Sequence, residues 1–303
     1  MPIAERNGVR LHWEQQGEGS PLLLIMGHRY SSAMWYPLLP ALTARHRVIW
    51  FDNRGTGGSD SAAGFTVRDM ALDALAIMDA AGVDRAHVFG VSMGGGIALE
   101  LAIHQPQRVI SLLLGCTAML TADKPRMPAI FRALYYLPAW ALRLILPRAA
   151  VGQGYGSAAP PQAIAADQAM LAKDKSVVRG VAAQAVAIAG YSVKAEAVAA
   201  LTMPALVMHG DEDSVVPFGW GVELAETLPD SRFVKFAGCG HNFIVAARDQ
   251  ASSAVLDFLD SIDHAPTPRE AGAESNPEEP TGSAPATGSG FNAVGRRGGA
   301  EIA

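Results

Sequence analysis

Ala86-His87-Val88-Phe89-Gly90-Val91-Ser92-Met93-Gly94, running on into Gly96-Ile97-Ala98-Leu99-Glu100-Leu101-Ala102, is the stretch on which the reading of this chain turns. The first four residues are a short apolar run suited to a strand. The last seven carry a helical pattern. Between them stands Gly-x-Ser-x-Gly, and strand, tight turn, helix is the setting in which that pentapeptide presents a nucleophile. Glycines lack Cβ, so the turn can be sharp enough to hold Ser92 in a strained backbone conformation with its hydroxyl above the sheet. A helix beginning near Met93 directs its first N–H groups at the place where an oxyanion would form. In a chain with 31 glycines the pentapeptide alone could be a turn without chemistry. The flanking patterns favour the nucleophile.

Similar apolar runs lie on either side. Leu22–Met26, Val48–Phe51, Ile110–Leu114, Ala205–Met208 and Phe233–Phe236 read as strands, most of them suited to burial on both faces. Asn7-Gly8 lies between two shorter runs and signals a hairpin. Helical patterns near 34–44, 67–81, 96–104, 219–228 and 243–262 alternate with the strands. The expectation is an α/β fold: a mostly parallel sheet of about eight strands with helices on both faces, begun by an antiparallel hairpin.

The alternation stops between residues 117 and 201, where no strand pattern appears and helical stretches cover 129–146 and 161–189. This reads as a helical cap inserted over the C-terminal edge of the sheet. It divides the core into residues 1–116 and 202–263. Gly152-Gln153-Gly154-Tyr155-Gly156, inside the insertion, has no strand before it and reads as a cap loop rather than a phosphate cradle. Residues 264–303 are rich in Pro, Gly, Ser, Thr, Ala and Glu with Phe291 as the one aromatic, which predicts a disordered tail.

The 303 residues are 50% hydrophobic and 17% charged, a globular composition, and the net charge of −5 gives no basic patch for nucleic acid. Cys116 and Cys239 are far apart and lack metal-ligand spacing, so two free thiols in a reducing compartment are expected. The first residues lack the apolar core of a signal peptide. The most hydrophobic segment, 131–146, contains Arg132, Pro138 and Arg143 and is too short for a membrane span. The expectations are a cytoplasmic location, no metal, no cofactor, no membrane and no nucleic-acid partner, with a small molecule as the substrate. The sequence is silent on oligomeric state.

A nucleophilic serine needs a base, and the base needs an orienting acid. Apart from His264 in the tail, only His241 follows the second half of the sheet, in Gly238-Cys239-Gly240-His241-Asn242-Phe243. Acid candidates crowd into His209-Gly210-Asp211-Glu212-Asp213-Ser214-Val215-Val216-Pro217, and spacing alone does not choose among them.

Taken together, these motifs resemble the α/β-hydrolase superfamily over roughly residues 1–263, in the chain order Ser92, Asp213, His241. The resemblance implies the α/β-hydrolase fold. It also implies the register Gly-x-x-Asp-x-x-x-Pro, met here by Gly210, Asp213 and Pro217, so that Asp213 is the acid and Asp211 the alternative. Asp52-Asn53-Arg54-Gly55-Thr56-Gly57-Gly58-Ser59 resembles a structural loop of the superfamily. Relatives usually carry His-Gly-x where this chain has Met26-Gly27-His28. By position, the backbone N–H groups of His28 and Met93 would form the oxyanion hole. The His28 ring either contacts substrate or is a plain loop histidine, and both readings stay open.

The implied activity is hydrolysis of a carboxylic ester or lactone through Ser92, His241 and Asp213 and an acyl-enzyme. Carbon–carbon bond hydrolysis and cofactor-free perhydrolysis on the same residues are alternatives, and a hydrolase-like small-molecule receptor is an alternative of another class. Dense apolar and aromatic residues of the insertion suggest a pocket for a neutral, largely apolar molecule, with Met119, Tyr135 and Trp140 in its wall. Longer apolar acyl groups would then be favoured over acetyl.

Overall fold

The computed structural model describes residues 2–124, 154–174, 176 and 178–264. The expected helix over 129–146, with Tyr135 and Trp140, and the tail beyond His264 lie outside the described residues. Asn7 and Gly8 both adopt positive φ, 50° and 76°, and turn β1 (Ile3–Arg6) back onto β2 (Val9–Gln16). There follow β3 (Pro21–Ile25), β4 (Arg47–Phe51), β5 (Ala86–Val91), β6 (Val109–Gly115), β7 (Ala205–Gly210) and β8 (Ser231–Phe236). They form one eight-stranded sheet in the order β1-β2-β4-β3-β5-β6-β7-β8. β2 pairs antiparallel with both neighbours, and every other pairing is parallel. Among the described residues no strand lies between β6 and β7.

The central parallel strands, β3 to β7, read as largely apolar runs because both of their faces are covered, whereas the edge strand β8 carries Ser231, Arg232 and Lys235. Successive residues point to opposite faces, so each strand feeds two cores. Leu23, Ile25, Ile49, Phe51, Val88 and Leu112 pack with α2 (Val67–Ala80) and α3 (Met93–His104). Leu22, Leu24, Val48, Trp50, Phe89 and Leu113 pack on the other side with α1 (Leu39–Thr43) and the C-terminal helices. Thr66 starts α2 with a capping box: its Oγ1 accepts from Asp69 N, and the Asp69 carboxylate accepts from Thr66 N.

Three helices follow β6 in the described part of the insertion: α4 (Pro161–Leu171), α5 (Val178–Gly190) and α6 (Ala195–Ala199). The single helical stretch expected over 161–189 is thus two. The helix expected over 34–44 is also two pieces, a 3-10 turn at Ser32–Trp35 and then α1. Pro37 has no N–H to continue the first piece, and Pro40 suits the first turn of the second. After α7 (Phe218–Thr227) and β8, the helix expected over 243–262 breaks at Ala247 (φ −125°, ψ 42°) into α8 (Phe243–Ala246) and α9 (Arg248–Asp263).

At the N-terminal end of the sheet a buried polar line fastens the last helix. His87 and Ser111 are both fully buried. His87 Nδ1 lies 2.8 Å from Ser111 Oγ, and its Nε2 lies 3.0 Å from a carboxylate oxygen of Asp263, the last residue of α9. The other Asp263 oxygen accepts from Ser20 Oγ at 2.7 Å, and His46 Nδ1 stands 3.9 Å from it.

Candidate active site

Parallel strands ending at one edge bring distant loops together there. Ser92 follows β5 and precedes α3 at φ 54°, ψ −120°, a region that an L-residue occupies only under strain. Its N–H donates to Gly115 O at 2.8 Å, while its carbonyl accepts from Thr117 Oγ1 at 2.8 Å. The neighbouring glycines are required by close approach. A Cβ on Gly90 would stand 2.2 Å from Gly94 O, and one on Gly94 would stand 2.1 Å from Ile25 O.

His241 lies in the turn between β8 and α8. Its Nε2 is 3.0 Å from Ser92 Oγ, and its Nδ1 is 2.8 Å from Asp213 Oδ2. The partners fix the direction of the line: Nδ1–H donates to the carboxylate, and Nε2 accepts from the serine hydroxyl. Asp213, buried beyond the end of β7, is the best satisfied acid of the site. Its Oδ1 accepts from Val215 N at 2.8 Å and Val216 N at 2.9 Å. Its Oδ2 also meets His209 Nε2 at 3.2 Å. Burial alone would raise the Asp213 pKa. The hydrogen bonds from His209, His241 and Val216 overcome it and hold the carboxyl well below the usual range. His241 shows the converse: burial disfavours its charged form, yet Cys116 and Asp213 beside the ring outweigh this and raise its pKa.

Asp211, the alternative acid, faces away. Its carboxylate accepts from Gly238 N at 2.7 Å and lies 3.5 Å from Lys235 Nζ. Glu212 accepts from Ser157 N and Oγ, both at 2.6 Å. The structure therefore brings Asp213, and neither neighbour, to His241.

The Met26-Gly27-His28 turn passes over Ser92, since a Cβ on Gly27 would stand 3.2 Å from Ser92 Cβ. Met93 opens α3 on the other side. Asn53 Nδ2 holds the Met26 carbonyl at 2.8 Å, and Asp52 accepts from both Ser32 N and Ser32 Oγ. Arg54 is bound to the buried Asp73 and exposes no charge to the site. The loop at 52–60 thus braces the turn. The His28 ring points into the insertion: its Nε2 lies 2.9 Å from Val181 O of α5. Burial pushes its pKa down to about 4, so the ring stays neutral. Next to it Arg29 N donates to Gln184 Oε1, and Gln184 Nε2 donates to Arg54 O, both at 2.9 Å.

A cavity of about 80 Å³ opens beside Ser92. Met26, Tyr30, Met34, Val91 and Ile244 form most of its apolar wall, and His28, Cys116, His241 and Asn242 its polar part. Met119 is not in that wall. It is packed into the core against the α3 side of the sheet, because the chain leaving β6 turns inward there. Cys116 was not anticipated as a wall residue, although register carries the signal: β5 pairs Val91 with Gly115, so the next residue on each strand shares the edge. His209 and Asn242 were also missed as partners of the site. Both cysteines are free thiols and buried. Among the described residues no group of three His, Cys, Asp or Glu side chains is placed to hold a metal, and no helix is long and apolar enough to cross a membrane.

Comparison with known proteins agrees with the fold. The sequence model of the alpha/beta hydrolase fold family matches residues 20–246. The chain is 31% identical over 270 residues to the protein of Azorhizobium caulinodans named "Putative carbamate hydrolase RutD", covering 87% of this chain and all of the relative. Among solved structures it is similar to an esterase from Thermogutta terrifontis, with a TM-score of 0.76 at 25% identity over 86% of this chain and 98% of that one. It is also similar to the enol-lactonase of Burkholderia xenovorans, with a TM-score of 0.74 at 26% identity over 85% and 99%.

Proposed function

This chain belongs to the α/β-hydrolase fold family, and from that premise we propose that it is a serine hydrolase of small, neutral carboxylic esters or lactones. The observation that carries the reading is the line from Ser92 Oγ through His241 to Asp213, with Ser92 held at positive φ at the mouth of a cavity. Ser92 Oγ attacks the carbonyl carbon as its proton passes to His241 Nε2. Asp213 keeps the proton of the resting imidazole on Nδ1 and stabilises the imidazolium. The N–H groups of His28 and Met93 receive the oxyanion. His241 then gives its proton to the leaving alcohol, or to the ring oxygen of a lactone, and water attacking the acyl-enzyme restores Ser92. The described part of the insertion, with α4, α5 and α6, serves as a cap over this edge.

The described cavity also bears on the acyl group. At about 80 Å³ it is roughly half of a 150 Å³ cavity that holds benzene. This supports a short acyl group rather than the longer ones that the composition of the insertion suggests. The described part of its wall presents no lysine or arginine to pair with an anionic acyl group. A second reading within the chemistry is a neutral carbamoyl group, supported by the name of the 31% identical relative and of a size compatible with the cavity.

Replacement of Ser92 by Ala tests the proposal on 4-nitrophenyl acetate. The expected loss of kcat/KM is about 10⁴- to 10⁶-fold with the fold intact. Wild-type turnover by folded Ser92→Ala would overturn it.

A further inference from the structure

Asp167 of α4 is fully buried, and three donors converge on it. Tyr36 OH reaches Oδ1 at 3.1 Å, while Tyr155 OH at 2.6 Å and Asn242 Nδ2 at 3.0 Å reach Oδ2. All three partners are neutral. A buried carboxylate is costly unless its lone pairs are filled, and here hydrogen bonds alone fill them. Burial, together with the carboxylate itself, raises the pKa of both phenols, so they remain donors. The three side chains come from separate parts of the chain: the connection after β3, the insertion, and the residue following His241.

Main-chain bonds run beside this hub. Gly240 N donates to Tyr155 O at 2.9 Å, Asn242 N to Gly154 O at 2.7 Å, and Ala158 N to Gly238 O at 2.8 Å. Two of these flank His241 directly. The backbones approach so closely that residue 156 must be glycine, since a Cβ there would stand 2.3 Å from Gly238 O. Ser157 holds Glu212, next to Asp213. The glycine-rich stretch that reads as a plain cap loop is therefore, from Gly154 on, a brace for the base and acid loops.

We propose that Asp167 is a positioning residue: through Tyr155 and Asn242 it holds the 238–242 loop, and so sets the place of His241 against Ser92 and Asp213. The proposal rests on the reading of His241 as the base. Asp167→Asn removes the charge that gathers the three donors and replaces one of its oxygens by an amide donor, so at least one hydroxyl must turn to accept and the bonds to Tyr155 and Asn242 weaken from charge-assisted to neutral. The groups facing the His241 ring are Asp213, Ser92 and Cys116, with His209 behind Asp213. Loosening the loop weakens the contact with Asp213, which favours the imidazolium.

Two measurements test this. With 4-nitrophenyl acetate, Asp167→Asn should lower kcat by about ten- to a hundredfold, as expected for a small misplacement of a reacting group, with KM changed less than about twofold. The nitrogen shifts of His241, followed by NMR, should titrate at lower pH than in the wild type. Tyr155→Phe keeps the ring packing, removes one donor, and should move both readouts the same way by less. An unshifted His241 titration with unchanged kcat in folded Asp167→Asn would overturn the proposal, as would activity lost only in proportion to folded protein. The titration needs no turnover. It therefore decides the role of Asp167 even if Ser92→Ala shows that another group attacks.

Discussion

Two carboxylates two residues apart, Asp211 and Asp213, separate cleanly at the level of single side chains. Asp213 turns inward because the amides of Val215 and Val216 bind one of its oxygens, which leaves the other for His241. Asp211 instead fastens Gly238 and approaches Lys235. Asp213→Asn should reduce kcat by about 10⁴-fold, because an amide there favours the wrong imidazole tautomer. Asp211→Asn should cost far less. Parallel assays on the two variants check this, and the reverse order would make Asp211 the acid. Ser92 and His241 could be named from local pattern, and Asp213 from the register of a resemblance. Asp167, His209 and Cys116 could not. Their partners lie far off in the chain or across strands, and a lone Asp in an Ala-rich helix reads as solvated surface. The contact of the His28 ring with Val181 O, 153 residues away, is likewise beyond the reach of local pattern.

Between elements, the contact of α5 with the loops after β3 and β4 matters most for the site. Gly180 and Gly55 touch through their backbones, and a Cβ on Gly180 would stand 2.0 Å from Gly55 O. Neither side can yield by rotating a side chain. Gly180→Ala should therefore push α5 outward, destabilise the fold by about 1–3 kcal/mol, and loosen the bonds from Val181 and Gln184 that hold His28 and Arg29. Thermal melts paired with kcat on 4-nitrophenyl acetate check this; an unchanged melting temperature would show that the contact is slack. Such contacts are illegible in sequence, whereas the central strands β3 to β7 were legible because burial on both faces makes them largely apolar runs, and β2 because its apolar residues alternate. Helix presence was also plain, apart from the short α6. Helix continuity was not: two prolines interrupt the first expected helix, and at Ala247 only the backbone angles mark a break that no residue type announces.

For the molecule as a whole, buried histidines set the response to acid. Burial lowers the pKa of His28 to about 4 and also lowers those of His46 and His87. The unfolded chain, with histidines near 6.5, then binds more protons than the native state below that pH. The stability these groups contribute is full above about 6.5 and is lost as pH falls toward their folded values. Asp213, held low, extends the loss into the range below its ordinary carboxylate value. His241 works in the opposite sense, because its raised pKa contributes stability that fades as pH rises. The melting temperature should fall between about pH 6.5 and 4, and His46→Leu, close in volume, should flatten that slope. Calorimetry across this range checks it; an identical slope in the variant would remove His46 from the account.

The polar line of Ser111, His87 and Asp263 is an internal control that the protein carries against its own candidate site. A search by interatomic distance alone would return it as a second centre. Its serine, however, sits within a regular strand, sealed from solvent, and His87 meets it through Nδ1 rather than Nε2. One chain thus carries the same three residue types in hydrogen-bonded series twice, and only one copy has an opening through which a carbonyl could arrive. What separates reactive from inert is access and strain, so recognition templates for such sites should weigh the nucleophile's backbone and its exposure above the identity of the three residues.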